Sequence, residues 1–315
     1  MSLNKKNKTF IIITSILVCL LLPYIGFKSY FYYLDNKMDI IEVNNDEIYV
    51  SNDIEEELTQ YTTPDTLEEI TNIALFGIDA NSGNVGRSDS IMILTLDPTT
   101  ESIKLASIMR DSYVNIPDYG MDKINHAFSF GDSVLALKTL NYNFELNVDK
   151  FMSVNFTNMP TIIDKLGGIT INITDEEISH IPGIAASGPQ LLDGKQVLAY
   201  TRIRYAFGDD FQRTSRHRTV LEAIYNKVKD TNITEVPSLI DKFLPLVQTN
   251  IPSSEMIKLG TTFLSFQNKN FIETRFPRDG HWEHKTIDGI YYLGYDLEVA
   301  KKQMQEFIYS DNNNN

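Results

Sequence analysis

Six arginines in two separated segments of this 315-residue chain alternate with acidic side chains. The first segment contains Asp79, Arg87-Ser-Asp89 and Arg110-Asp111, and the second contains Arg202-Ile-Arg204, Arg213 and Arg216-His217. The chain is otherwise acidic, with a formal net charge of −14. A guanidinium group can chelate two phosphate oxygens, and carboxylates beside such an anion need a divalent cation to bridge the charges. The two segments therefore predict a magnesium–phosphate site.

The first segment lies at the ends of predicted strands. Asp79 directly follows one apolar run, Asp89 directly precedes the next, and Arg110 ends a third. Strand ends are common ligand-binding positions in α/β folds. The alternative interpretation is structural, because aspartates often cap turns and Arg110 could form a surface ion pair. The combination of all three at strand ends favours the binding interpretation.

The second segment combines two kinds of spacing. Arg202 and Arg204 share a face if their stretch is extended and diverge if it is helical. Arg213 and Arg216 are three residues apart, which predicts one face at the start of a helix. Free N–H groups at a helix N-terminus attract anions, whereas basic side chains oppose the helix dipole there. Their presence at that position therefore indicates a ligand.

Strand and helix patterns alternate along the chain, which favours an α/β layered domain over a sandwich or a helical bundle. Strands are predicted over Asn72–Gly77, Ser90–Leu96, Ile103–Ile108, Ile169–Ile173, Phe271–Phe276 and Gly289–Leu293. Helices are predicted over Asn158–Leu166, Asp193–Tyr200, Arg216–Val228, Ser238–Leu244, Ser253–Phe266 and Leu297–Tyr309.

The N-terminal region predicts a single-pass membrane anchor. Residues 10–27 carry no charge and are long enough to cross a bilayer as a helix. Lys5, Lys6 and Lys8 precede them, which predicts that residues 1–9 are cytoplasmic. A cleaved signal peptide is the alternative, but no small-x-small cleavage pattern follows the apolar run.

The rest of the chain is then expected outside the membrane. Residues 28–70 are polar and acidic and predict a stalk, residues 71–310 predict the folded domain, and residues 311–315 predict a polar tail. The excess of acidic residues disfavours nucleic acid as a partner, because nucleic-acid binding needs a net basic surface. A local cluster of arginines on an acidic protein indicates a small anionic ligand instead.

Several longer motifs carry a resemblance to one protein family. They are Leu75-Phe-Gly-Ile-Asp79, Arg87-Ser-Asp89, Ser107-Ile-Met-Arg110-Asp111, Lys123-Ile-Asn125-His-Ala, Gly167-Gly168-Ile169, Tyr200-Thr-Arg202-Ile-Arg204 and Asp210-Phe-Gln-Arg213-Thr-Ser-Arg216-His217. In order and spacing the chain resembles the LytR–CpsA–Psr family of membrane-anchored cell-envelope proteins from about residue 71 to 220, and more weakly to about 309.

The resemblance implies a fold, an activity and roles for named residues. It implies an α/β/α domain with a mixed central sheet, and transfer of a glycopolymer, such as teichoic acid or capsule, from a polyprenyl-pyrophosphate carrier to peptidoglycan. It implies that Asp79 and Asp89 hold Mg²⁺ (or Mn²⁺) against the pyrophosphate. Because the attacking sugar hydroxyl has a high pKa, assisted deprotonation would help the reaction, and Asp89 is the candidate for that role. The pyrophosphate-binding set implied is Arg87, Arg110, Arg202, Arg204, Arg213 and His217. The catalytic set implied is Asp89, Arg110, Arg202 and Arg204.

Three positions depart from the family pattern. Met109 stands where proline is usual, which predicts a looser Arg110. His217 stands where glutamine is usual, and a charged imidazole would make phosphate binding depend on pH. Gly131-Asp132 stands where two glycines are usual, which predicts a differently shaped loop.

Two other functions stay open: a membrane-bound lipid-pyrophosphate sensor that attenuates transcription of envelope genes, and a hydrolase of the carrier.

Overall fold

The computed structural model describes residues 21–49, 52–80, 86–203, 209–266 and 270–310. In chain order the strands are β1 (Asp39–Ile40), β2 (Thr71–Asp79), β3 (Arg87–Asp97), β4 (Ser102–Ile108), β5 (Tyr113–Ile116), β6 (Gly120–Lys123), β7 (Lys150–Asn155), β8 (Ile169–Ile173), β9 (Gly188–Leu192), β10 (Gln248–Thr249), β11 (Asn270–Phe276), β12 (Glu283–Ile287) and β13 (Ile290–Gly294). The helices are α1 (residues 21–35), α2 (Asn52–Leu58), α3 (Pro64–Glu69), α4 (His126–Phe144), α5 (Met159–Lys165), α6 (Gly194–Thr201), α7 (Asp209–Val228), α8 (Val236–Phe243), α9 (Ser253–Ser265) and α10 (Leu297–Tyr309).

Within the described residues, seven strands form one mixed sheet in the order β1-β10-β7-β2-β3-β4-β11. Strands β2, β3 and β4 are consecutive and antiparallel, whereas β7 pairs parallel with β2 and β11 pairs parallel with β4. The carboxylate of Asp97 fixes the β3–β4 turn by accepting from the N–H groups of Thr99 and Thr100 at 3.0 and 3.2 Å. This mixed α/β architecture confirms the fold class expected from the alternating patterns.

Helices cover both faces of the sheet. On one face, α4 and α10 bury the main apolar core, which includes Phe76, Ile93 and Phe151. On the other face, α8 and α9 pack with the last turn of α1 against strand residues such as Ile73. A separate cluster joins α5, β8, α6 and α7. The sheet is therefore a middle layer whose strand ends remain available for a site.

Most of the predicted elements are present with small changes at their ends. The helix predicted over Leu297–Tyr309 and the strand predicted over Ile169–Ile173 have those bounds in the structure. Helix α7 begins at Asp209, seven residues before the predicted start. Helix α4 and strand β7 were not predicted, although both contribute to the main core.

The expectation of a stalk over residues 28–70 is wrong from Leu34 onward. Leu34, Ile48 and Leu58 are fully buried, and β1 joins the edge of the central sheet beside β10. The carboxylate of Asp35 also accepts from the N–H of Ser253 at 2.9 Å, at the start of α9. Isolated apolar residues in an acidic stretch give no periodic pattern, so the sequence did not indicate that this segment packs on the domain.

The N-terminal prediction falls mainly on residues that the structure does not describe, since it covers residues 10–27. Residues 21–35 are helical. In the part of the chain from residue 21 onward that is described, no helix combines the length and apolar character needed to span a bilayer. The polar tail over residues 311–315 also lies outside the described residues.

Candidate functional site

Strand topology brings the first arginine segment to one edge of the sheet. Because β2 and β3 are antiparallel, the last residue of β2, Asp79, lies opposite the first residue of β3, Arg87. Strand β4 runs antiparallel to β3, so its end, followed by Arg110, returns to the same edge. Asp89 lies inside β3 rather than before it, as the third residue of the strand.

Asp89 is the centre of a buried ionic network. Its Oδ2 accepts from Nη1 of Arg110 at 2.6 Å and lies 3.7 Å from Nη1 of Arg213. Its Oδ1 accepts from Nδ2 of Asn125 at 3.2 Å. The carboxylate is only 6% exposed, so its charge depends on these partners for stabilisation. Two guanidinium groups on one carboxylate leave a local excess of positive charge for an anion.

A second, more exposed pair lies beside this network. Nη2 of Arg202 is 4.0 Å from Oδ1 of Asp79, and about half of each side chain is exposed. Arg87 is also exposed. Arg204, which was predicted to complete this group, lies outside the described residues. The described members of the predicted set are four arginines (Arg87, Arg110, Arg202 and Arg213) and two carboxylates (Asp79 and Asp89), so this set carries a surplus of two positive charges.

Helix α7 supplies the second segment in a different way from the one predicted. Because α7 begins at Asp209, Arg213 and Arg216 lie in its interior and not at its N-terminus. Arg213 contacts the Asp89 network, but Arg216 does not. Its Nε donates to Oε1 of Glu177 at 2.8 Å and its Nη1 donates to the carbonyl of Ile203 at 3.1 Å. Arg216 therefore stabilises the α7 packing and is not part of the anion site.

His217 is neutral at this site, which overturns the expectation of a charged imidazole. Burial, together with the nearby Arg213 guanidinium, lowers the pKa of His217 from 6.5 to about 3. The ring hydrogen-bonds the backbone of Thr201 and packs 5.5 Å from the ring of Phe156. A neutral imidazole has a single N–H, so a hydrogen bond to the Thr201 carbonyl leaves none for phosphate. The structure favours a positioning role for His217.

Residues that received no role from the sequence support the site. Asn125, 2% exposed, binds Asp89 from the start of α4. Asp111 accepts from Nζ of Lys123 at 2.7 Å and lies 3.5 Å from Nε of Arg110. The motif Lys123-Ile-Asn125 was part of the family resemblance, and it is the signal that could have indicated Lys123 and Asn125.

A cavity of about 30 Å³ lies between the two candidate metal ligands, Asp79 and Asp89. This volume is large enough for one ion or one water molecule. Mg²⁺ prefers oxygen ligands and is usually held through one or two carboxylates, with phosphate and water completing its shell. The buried Oδ1 of Asn125, next to Asp89, has no hydrogen-bond partner among the described residues. Arg202 and Arg213 line the same cavity, so these donors suit Mg²⁺ only together with a phosphate group that balances the guanidinium charge.

An apolar cavity of about 280 Å³ lies further along α7, between this helix, α5, α8 and α9. Its wall includes Ile224, Val228 and Met152. At 3.6 residues per turn, Ile224 and Val228 fall within about 60° of Arg213 around the helix axis. The rise from Arg213 to Ile224 is roughly 17 Å. One face of α7 therefore leads from the guanidinium groups to an apolar cavity.

These features define an α/β protein with an anion site at a sheet edge and an adjoining apolar cavity, which suits a ligand that is both phosphorylated and lipidic. The chain belongs to the LytR_cpsA_psr family, whose profile matches residues 34–309. One relative, from Oceanobacillus iheyensis, is named polyisoprenyl-teichoic acid–peptidoglycan teichoic acid transferase TagU. It is 34% identical over 263 residues, which cover 78% of this chain and 80% of the relative.

Solved structures of related proteins have the same fold. One is described as TagT bound to LI-WTA, with a TM-score of 0.65, 27% identity, and coverage of 76% of this chain and 91% of that one. Another is described as the LytR-CPS2A-psr family protein YwtF (TagT) with bound octaprenyl pyrophosphate lipid. It has a TM-score of 0.61, 26% identity and the same coverage of both chains.

Proposed function

We propose that this chain transfers a glycopolymer from a polyprenyl-pyrophosphate carrier to peptidoglycan on the outer side of the membrane. The observation that carries this proposal is the single face of α7 that joins Arg213 to the apolar cavity at Ile224 and Val228. A ligand with a pyrophosphate at one end and an isoprenoid chain at the other matches this polarity. The names of the relatives, a teichoic acid transferase and a complex with octaprenyl pyrophosphate, support the same substrate class.

The reaction is a displacement at phosphorus. The oxygen of an acceptor hydroxyl bonds to the glycan-linked phosphorus, and the bond from that phosphorus to the bridging oxygen breaks. Polyprenyl phosphate leaves with the electron pair, and the product is a phosphodiester between glycan and peptidoglycan. Negative charge accumulates on the bridging and terminal oxygens, where fixed cations stabilise the transition state.

The buried and the exposed residues of the site have different roles in this reaction. Arg110 and Arg213 are held by Asp89 and are oriented before the ligand arrives, which limits the reorganisation needed on binding. Arg87 and Arg202 are more exposed and suit the outer phosphate oxygens, a role that we extend to Arg204. Asp89 is the candidate acceptor for the proton of the attacking hydroxyl, because its carboxylate contacts the arginines that would hold the reacting phosphate.

Mg²⁺ is part of the proposal, with Asp79 and Asp89 as its protein ligands. The ion would neutralise the charge between these carboxylates and the pyrophosphate, and would polarise the phosphoryl oxygens. The protein contributes the ion-sized cavity and the network that fixes Asp89.

We also propose that residues 10–27 anchor the chain, with residues 1–9 cytoplasmic and the domain outside. The run is uncharged, and lysines precede it. The only cysteine, Cys19, lies inside this run, so the proposed external domain contains no thiol. An anchored enzyme is well suited to a carrier that stays in the membrane.

The test uses the full chain in detergent with a polyprenyl-pyrophosphate-linked oligosaccharide, Mg²⁺ and peptidoglycan oligomers, followed by mass spectrometry. We expect an adduct in which a phosphodiester joins the two glycans. Arg110→Lys keeps the charge but loses the planar fork at Asp89, so we expect transfer to fall by about 10–100-fold. Arg218→Lys is the matched control, because Arg218 lies on α7 and pairs with Glu273 instead.

The other outcomes separate the alternatives. Release of polyprenyl phosphate without an adduct would indicate a hydrolase. Tight binding of the carrier without any product would indicate the sensor, and equal activity of both lysine variants would contradict the role given to Arg110.

A further inference from the structure

A third cavity, of about 520 Å³, opens at the same end of the sheet as the anion site. Ile78, Ala80 and Gly86 form one wall. These residues flank Asp79 and Arg87 in the chain, so the cavity opens at the same strand ends as the proposed pyrophosphate site. Its volume lies within the range of small-molecule binding sites.

The chemistry of this cavity differs from that of the anion site. Its polar lining includes the carboxylates of Asp39 and Asp132 and the amides of Asn155, Asn158 and Gln248. No lysine or arginine is among the described lining residues. Two carboxylates without a cation repel phosphate, whereas carboxylate and amide groups hydrogen-bond hydroxyl and acetamido groups well. The cavity therefore suits a neutral ligand rich in hydroxyl groups.

Hydrogen bonds fix part of the wall in advance. Oε1 of Gln248 accepts from the hydroxyls of Ser133 and Ser153, at 3.1 and 3.3 Å. Its Nε2 donates to Oδ2 of Asp39 at 2.8 Å. This network ties β10, β7 and α4 to the segment around β1. The polar groups are thus held in place before any ligand binds, which lowers the entropic cost of recognition.

Asp132 is in a backbone conformation that disfavours its side chain. Helix α4 is interrupted at Gly131-Asp132, and Asp132 has φ 52° and ψ −155°. This region is essentially restricted to glycine, and side chains held there cluster at functional sites. The chain therefore retains a strained aspartate where glycine would fit better, and its carboxylate lines the cavity.

We propose that this cavity binds a neutral sugar unit of a glycan substrate and that Asp132 is a specificity-determining residue, accepting hydrogen bonds from sugar hydroxyls. The inference rests on the proposed function, and it adds a subsite that the anion site does not supply. The sugar can come from the carrier-linked glycan or from the peptidoglycan strand, because both present the same hydroxyl and acetamido chemistry. Phosphate-bearing units of the polymer are disfavoured by Asp39 and Asp132.

The experiment compares Asp132→Gly and Asp132→Asn with the wild-type full chain in detergent. Glycine relieves the backbone strain, and asparagine keeps the side-chain shape while removing the charge, so both variants are expected to fold. Asp288→Gly is the matched control, because Asp288 has φ 50° in the β12–β13 turn and does not line the cavity. Both glycine variants should raise Tm by about 2–4 °C, because each removes a strained backbone conformation.

Three probes distinguish the sources of the sugar: sugar-free polyprenyl pyrophosphate, the same carrier bearing a disaccharide, and a lipid-free peptidoglycan oligosaccharide. We expect both Asp132 variants to bind at least one sugar-bearing probe about tenfold more weakly, which corresponds to about 1.4 kcal/mol for the lost hydrogen bonds. Binding of the sugar-free carrier should not change, and Asp288→Gly should resemble the wild type throughout.

The probe that weakens identifies the source: the carrier-linked disaccharide for the donor, and the lipid-free oligosaccharide for the acceptor. If both Asp132 variants bind both sugar-bearing probes as tightly as the wild type, the inference is overturned. Failure of the sugar-free carrier to bind the wild-type chain would instead overturn the proposed function, so the two failures are distinguishable.

Discussion

Between β4 and Arg110, the backbone N–H of Met109 donates to the carbonyl of Phe276 at 3.0 Å. This bond extends the β4–β11 pairing by one residue, immediately before the guanidinium that holds Asp89. Proline, the usual family residue here, has no N–H to donate. We expect Met109→Pro to lower the free energy of unfolding by about 2–3 kcal/mol, because the bond is lost and a buried carbonyl is left unpaired.

Denaturant unfolding measures this change, with Met109→Leu as the control. Leucine keeps the N–H and nearly the same volume at a position that is 2% exposed, so its cost should stay below about 1.5 kcal/mol. Equal stability of the proline and leucine variants would show that the Phe276 bond contributes nothing. The structure thus indicates that a main-chain hydrogen bond holds the segment where the family uses a proline ring.

His217 makes the free energy of unfolding of the domain depend on pH in the acid range. Its folded pKa, about 3, is below the ordinary value of 6.5, so the unfolded chain binds a proton between these pH values while the folded chain does not. The stabilisation is complete above pH 6.5 and is lost as the pH falls towards 3. We expect His217→Gln to remove about 3 kcal/mol of this dependence, measured as unfolding free energy from pH 7 to pH 4.

The same variant tests phosphate binding separately. The imidazole is neutral from pH 6 to pH 8. We therefore expect the wild type and His217→Gln to show the same dependence of carrier affinity on pH over this range, without a step near pH 6.5 that is specific to the wild type. Such a step would restore a charged His217 as a phosphate ligand. The type and spacing of this residue were visible in the sequence, but its protonation depends on burial beside Arg213, which only the folded chain provides.

At the scale of elements, helix α7 joins the charged and apolar parts of the site. Ile224→Asn introduces an amide into the apolar cavity, which should weaken binding of a long-chain polyprenyl pyrophosphate by about tenfold. A pyrophosphate with a very short isoprenoid chain should bind the variant and the wild type equally, because it reaches only the guanidinium groups. The ratio of the two affinities is the readout, since it does not depend on the folded fraction.

Ile233→Asn is the matched control, because Ile233 is exposed and does not line the cavity. If Ile224→Asn weakened the binding of both chain lengths equally, the apolar cavity would not be the binding site of the isoprenoid chain. That result would also remove the main support for a lipid-linked substrate.

Elements with a clear signal could be predicted, and elements that depend on distant partners could not. Helix α6 was predicted over Asp193–Tyr200, and in the structure it begins with a capping box, in which Asp193 and Gln196 bind each other's backbone N–H groups. Helix α4 lacked such a signal because Gly131-Asp132 interrupts it and polar residues are buried within it. Asn141, for example, is 1% exposed and donates to the carbonyls of Ile48 and Val148. Partners so far apart in the chain give no local pattern.

The residues of the site likewise include some that could be predicted from the sequence and some that could not. Residue type and order predicted that Asp89 and Arg110 belong to one site, and the fold brings these two side chains to 2.6 Å. They were not enough to separate Arg213, which contacts Asp89, from Arg216, which pairs with Glu177. Three residues apart on a helix, these two arginines share a broad face, and small differences in angle decide which partner each one meets.

At the scale of the whole molecule, the region between the proposed anchor and the sheet is part of the folded domain. Helix α1 ends with Leu34 buried against Ile73 and Met256, and Lys37 follows with an ion pair to Asp241 at 2.6 Å. Chain segments that are buried and hydrogen-bonded do not behave as flexible linkers. The domain is therefore expected to keep a fixed orientation relative to the proposed anchor, with the anion site at a constant height above the membrane.

Leu34→Ala tests this attachment in a soluble fragment that starts at residue 28. Leu34 is fully buried, so its truncation should lower the free energy of unfolding by about 2–4 kcal/mol through lost burial and an added cavity. Tyr32→Ala, on the same helix but 71% exposed, should change it by less than about 0.5 kcal/mol. Denaturant unfolding of both variants measures the difference, and equal stability would mean that this segment is a detached stalk. With a stable fragment, the same substitution also predicts earlier proteolytic cleavage between residues 28 and 40, because α1 can then leave the domain surface without unfolding the sheet.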